Sequence, residues 1–175
     1  MAAAKVAPGD RRYSGLRVTE LGFGAAVLVW CLRASATGHA HCPPVVTGMD
    51  RALGPDGDEG RIHILSLVRT LADAGHRTLH MTHPGGLGVT YDEVALVSAL
   101  SASQKRLDTL RDAQLAWVLG TAPPPDLCDA VQRLGGIFLR SGHTIQAPNL
   151  PLPTLTSFPA PKPIWRPRNV HPLFD

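Results

Sequence analysis

The sequence predicts an all-α protein, a compact orthogonal bundle of about five helices plus one short helix, with an extended proline-rich C-terminal tail. Three observations carry this expectation. Apolar residues recur at three- and four-residue spacing through most of residues 18–147, Gly and Pro interrupt that pattern at short intervals, and no two alternating segments make a convincing strand pair.

Taken in order, the first helix is expected from an N-cap at Thr19 to about Ala36, stopped by Gly38. Its middle is apolar all round, as suits a central core helix. Pro43 and Pro44 then open a short helical turn through Met49 to Leu53, ended by Gly54 and Pro55. The acids of residues 56–59 lie where a helix N-terminus favours negative charge. A helix over 59–74 places Ile64, Leu67, Val68 and Leu71 on one face, and Gly75 is its C-cap. Residues 77–82 alternate like an extended segment but are too few to assign, and Pro84 to Gly88 exclude helix.

Thr90 and Glu93 have the spacing of a capping box, in which each side chain bonds the backbone amide of the other. This is the clearest local signal in the chain. The helix it starts carries Val94, Leu96, Val97 and Leu100 and is expected to fray at residues 101–103. A further helix over 105–119 puts Leu107, Leu110, Trp117 and Val118 on one side. The last begins at Asp126, repeats Leu127, Val131, Leu134 and Phe138, and ends at Gly142. Gly135 and Gly136 inside it cost about 1 kcal/mol each relative to Ala, which implies a close approach there by another helix or a ligand.

Composition divides the chain further. Its 175 residues are 44% hydrophobic and 18% charged, enough apolar text for a real core and too little charge for a disordered polyelectrolyte. Fourteen Arg against three Lys, with abundant Ala, Gly and Pro, point to GC-rich coding and a bacterial source. The net charge of +3 belongs to the ends. Residues 1–17 carry +3, residues 146–175 carry +2, and residues 18–145 hold ten basic against twelve acidic groups. The expected organisation is a mobile basic N-terminal arm (1–17), a helical domain (18–147) and a proline-rich apolar tail (148–175).

Eight of the sixteen Pro fall in that tail, which excludes helix and inner strand and favours extended polyproline II. It also carries large apolar residues that a spacer would not need, chiefly Phe158, Ile164, Trp165 and Phe174. A docking strap is expected, over its own domain or over another protein.

Residues 21–32 are apolar but too short to span a bilayer. With Arg11 and Arg12 before them and small residues at 34–36 they imitate an export signal, against which stand Glu20 and Arg33. The expectation is a buried first helix in a cytoplasmic protein, the alternative an exported one if residues 1–36 are a signal peptide. Three Cys, at 31, 42 and 128, give no disulfide framework.

Six of the eight His lie between residues 39 and 83. Imidazole and thiolate suit zinc, and His39, His41, Cys42, His76, His80 and His83 are the candidate ligands, although no paired ligand motif frames them. His63 reads as a boundary histidine. The glycine-rich loop at 85–88 lacks the lysine of a phosphate loop and reads as a structural turn. No nucleophile motif is present, and the acidic balance of the middle argues against a nucleic-acid-binding domain. The leading functional expectation is a non-enzymatic helical adaptor or accessory subunit that docks on a larger protein partner through Phe158, Ile164, Trp165 and Phe174. The alternative is a zinc-type metal-binding protein using residues 39–83, and the third is a regulator that touches nucleic acid through its basic ends.

Overall fold

A computed structural model describes residues 13–153. These residues are mostly helical: α1 (Phe23–Ala36), α2 (Pro43–Leu53), α3 (Gly57–Ala74), α4 (Tyr91–Gln104), α5 (Asp108–Leu119) and α6 (Pro125–Arg140), with 3-10 turns at Val18–Glu20 and Gly54–Asp56. The helical expectation needs one correction. Strands β1 (Tyr13–Arg17) and β2 (Gly88–Thr90) form an antiparallel pair, with Tyr13 opposite Thr90 and Arg17 opposite Gly88. A three-residue strand behind a Gly/Pro run has too little alternation to be seen in sequence. Residues 13–17, grouped with the arm by charge, are therefore part of this pair, and the Ser14 hydroxyl donates to the Val89 carbonyl at 2.8 Å.

Helix α1 starts behind Gly22 rather than Thr19. The backbone amide of Arg17 donates to Glu20 Oε2 (2.6 Å) and that of Leu21 to the Val18 carbonyl (3.1 Å), so residues 18–20 are used in a tight turn first. From Gly24 to Ser35 the helix buries Leu28, Val29, Cys31 and Leu32, and with them Arg33. Helix α2 runs a full 11 residues, its two prolines at the first turn where their missing N–H groups cost nothing. Helix α3 begins two residues earlier than expected and turns Ile64, Leu67 and Leu71 inward against α1, α2 and α6. Gly75 ends it in an extended conformation, φ −73°, rather than a left-handed one.

Helix α4 is the hub, packed on α5 and α6 and buried from Asp92 to Ser103. The fraying expected at residues 101–103 does not occur, because Ser103 donates to Gln132 Oε1 (2.9 Å) on α6 and lies beside Gly135. The chain then turns through Arg106 at φ 57°, a left-handed value that costs a non-glycine residue about 1 kcal/mol. That corner delays α5 to Asp108 and rotates its face. Leu107 and Leu110 stay 48% and 46% exposed, while Leu115, Val118 and Leu119 are buried.

The close approach implied by the paired glycines comes from α4. A Cβ on Gly135 would sit 3.4 Å from Ser103 Cβ and 3.5 Å from Gln104 Cγ, and the Gly135 carbonyl accepts from Gln104 Nε2 at 3.2 Å. Gln104 also holds the chain beyond α6, donating to the His143 carbonyl (2.9 Å) and accepting from the Ile145 amide (2.8 Å). His143 is set between the rings of Phe23 and Phe138, and its Nε2 lies 2.7 Å from the Ala52 carbonyl. Past buried Ile145 the chain reaches Leu152, which packs against the core. Among the described residues no helix is long and apolar enough to cross a membrane.

Two glycines should respond in opposite directions. Gly57→Ala would put a Cβ 2.7 Å from Asp50 Cα and 2.9 Å from Asp50 N, backbone that cannot rotate away, and should lower stability by about 1–3 kcal/mol. Gly136→Ala meets only Arg140 Nη1, at 3.7 Å, and should raise it by about 1 kcal/mol. Urea unfolding midpoints of the two variants check both signs.

Candidate functional site

The histidine-rich segment is close in sequence and dispersed in its contacts. His39 Nδ1 lies 3.0 Å from its neighbour Thr37 Oγ1. His41 Nδ1 accepts from Arg61 Nη1 at 2.7 Å, since a guanidinium can only donate. Cys42 caps α2 and packs against the core. The backbone amide of His76 donates to the Leu119 carbonyl (2.9 Å) and that of His80 to Asp92 Oδ2 (2.5 Å), and the His83 carbonyl accepts from Gly86 (2.8 Å). Among the described residues no three His, Cys, Asp or Glu side chains are grouped so as to hold a metal ion. The four partner-binding candidates, Phe158, Ile164, Trp165 and Phe174, lie outside the described residues.

What the fold does bring together is a polar knot at the N-terminus of α4. Arg33 and Glu93 are 1% and 0% exposed. Arg33 Nε donates to Glu93 Oε1 at 2.7 Å and Nη2 to Oε2 at 2.8 Å, a two-pronged pair that fixes both side chains. Two further donors reach the carbonyls of Gly86 (2.5 Å) and Gly88 (2.7 Å). Glu93 in turn accepts from the backbone amides of Thr82 (3.2 Å) and Thr90 (2.9 Å), while the Thr90 hydroxyl accepts from the Glu93 amide (3.2 Å). The capping box read from the sequence is present and is one side of a larger network. Two carbonyls of the glycine loop, those of Gly86 and Gly88, accordingly face a cation.

Asp92 extends this knot outward. It accepts from the His80 amide and pairs with Arg77. Arg77 Nε donates to the Trp117 carbonyl at 3.1 Å, and its guanidinium carbon lies 4.6 Å from the Trp117 ring centroid, a cation–π contact. The Trp117 indole N–H then donates to the carbonyl of Pro153 at 2.8 Å. A continuous set of contacts thus runs from α1 through α4 and α5 to the start of the tail.

A second polar cluster joins α5 to α6. Arg111 bonds Asp108 (2.9 Å), Asp112 (2.8 Å) and Gln132 (3.2 Å), and the Cys128 thiol donates to Asp112 Oδ1 at 3.3 Å. Burial and that hydrogen bond push the Cys128 thiol up from its ordinary value, which keeps it protonated. The Arg111 hydrogen bond holds the Asp112 carboxyl below the usual range. Burial pushes the Cys31 thiol up to about 11. Neither thiol has the environment of an activated nucleophile.

Sequence reasoning missed Arg33, Arg77 and the partnership of Asp92 and Glu93 with them. One signal was available: Arg33 is the sole charge in α1, and a lone charge in a buried helix demands a partner. Which partner could not be read, because Glu93 lies 60 residues away.

Arg33→Met should cost about 3–5 kcal/mol in denaturant unfolding, since it leaves Glu93 buried without its counter-charge, and should speed amide exchange across residues 80–90. Iodoacetamide at pH 8 should leave Cys31 unmodified in the folded chain and label it after denaturation, read by mass spectrometry of the peptides. Comparison with known proteins places no family on this arrangement: no family model, no curated protein and no solved structure matches the chain.

Proposed function

We propose that the protein is a non-enzymatic helical adaptor or accessory subunit, docking on a larger protein partner through the tail beyond Pro153. The observation that carries this reading is the anchored exit of that tail. Trp117 and the packed Leu152 hold its first residues against the domain, so the following segment leaves from a defined point. That segment brings Phe158, Ile164, Trp165 and Phe174 in proline-rich text, where apolar side chains are presented at low entropic cost on ordering. Aromatic anchors of this kind dominate the energetics of many interfaces. The knot at α4 supports the reading in another way, because its carboxylates and guanidinium groups are engaged in holding the fold.

Two forms of the protein test it against full-length chain, each purified under native conditions from the cells that make it. One ends at Pro153, and the other carries Phe158→Ala, Ile164→Ala, Trp165→Ala and Phe174→Ala. Both should keep the thermal midpoint of the full chain within about 2 °C and lose a partner that co-purifies stoichiometrically with it. Recovery of the same partner at the same stoichiometry by either form would sink the proposal.

A further inference from the structure

The contact that anchors the tail is itself a recognition geometry. Polyproline-type chain makes no internal hydrogen bonds, so its carbonyls remain open to an outside donor, and proline's fixed φ reduces what is lost on docking. An aromatic ledge with an N–H at its edge matches those two properties, which is how aromatic-lined grooves take proline-rich segments. Trp117 offers this arrangement to Pro151-Leu152-Pro153: the indole N–H reaches the Pro153 carbonyl at 2.8 Å while Leu152 packs against the core.

Trp117 is also held in position from behind. Arg77 stacks at 4.6 Å from the ring centroid, bonds the Trp117 carbonyl at 3.1 Å and is itself fixed by Asp92. A side chain oriented by such contacts loses little freedom when a ligand arrives. The ligand in place is the chain's own, delivered by a segment pinned at Ile145 through Gln104.

We infer that Trp117, backed by Arg77, is a binding seat for extended proline-rich peptide of the Pro-Leu-Pro type, and that residues 151–153 occupy it in cis. Two other Pro-X-Pro runs in the tail, at 159–161 and 161–163, carry Ala or Lys where the seat takes Leu152. Selectivity for the leucine follows from its partial burial against the core. A tethered ligand acts at an effective concentration in about the millimolar range, so the seat is closed to other peptides until the strap is displaced. The inference stands apart from the adaptor proposal, since it concerns what the folded domain binds rather than what the tail beyond Pro153 binds.

Full-length protein labelled with nitrogen-15 tests it through the Trp117 indole resonance. The probe is a synthetic peptide of residues 148–154. Leu152→Asp, which unseats the strap, should bind this peptide with a saturable shift of the indole signal, whereas wild-type chain should show none at the same concentration. A peptide with Lys in place of its Leu152 should not bind, and Leu152→Asp combined with Trp117→Phe, which lacks the indole signal and is titrated by calorimetry beside Leu152→Asp, should bind about fivefold more weakly through loss of the N–H. A natively folded Leu152→Asp chain that takes no peptide would overturn the inference, as would undiminished binding without the indole N–H. If Leu152→Asp loses its circular dichroism signature, Leu152→Ala serves in the same titration with the same two outcomes. In wild-type protein the Trp117 indole hydrogen should exchange slowly, and rapid exchange there counts equally against an occupied seat.

Discussion

The fold depends on one buried ion pair. Among the described residues, Arg33 sits in the most apolar helix and Glu93 at the start of the most buried one, and neither is tolerable alone. Removing two charges from water costs several kcal/mol each, and a buried pair recovers this only with good geometry and further hydrogen bonds. Both conditions are met here. The guanidinium grips the carboxylate with two donors and spends others on the Gly86 and Gly88 carbonyls, while the carboxylate also satisfies the Thr82 and Thr90 amides. The net gain from such a pair is small, and its effect is to allow one arrangement of α1, α4 and the intervening loop.

That arrangement orders a segment which could not order itself. Residues 75–88 bury little apolar side chain of their own beyond Leu79 and Met81, which are only partly buried. Two adjacent carboxylates at the N-terminus of α4, where the helix dipole favours negative charge, hold this segment by its backbone and by Arg77. Once Arg77 is fixed, Trp117 is fixed, and the strap has a place to sit. The polar interior of this domain is therefore a scaffold for its surface.

Much of the helical pattern was legible because local rules and tertiary packing agree. The Thr90–Glu93 cap, the Ile64, Leu67 and Leu71 face and the Leu127, Val131, Leu134 and Phe138 repeat are all where periodicity and capping put them. The errors share a cause as well. Leu107 and Leu110 have helical spacing, yet the left-handed turn at Arg106 rotates α5 so that they face solvent. Residues 101–103 look like a frayed end, yet small side chains are what allow α6 to approach there. Sequence proximity does not set where side chains converge.

By itself the sequence determined the helical class, the helix stops at Gly and Pro, the cap of α4 and the change of character at the proline-rich tail. These follow from short-range physics: backbone sterics, missing amides, side-chain periodicity and local hydrogen bonds. The tertiary structure alone decided that Arg33 meets Glu93, that β1 finds β2, and that Trp117 meets Pro153. Those partners are separated by 60, about 75 and 36 residues, and each contact exists because packing of the helices brings remote groups within hydrogen-bond reach. A buried charge or an open carbonyl announces in sequence that it needs a partner. Only the folded chain says which one.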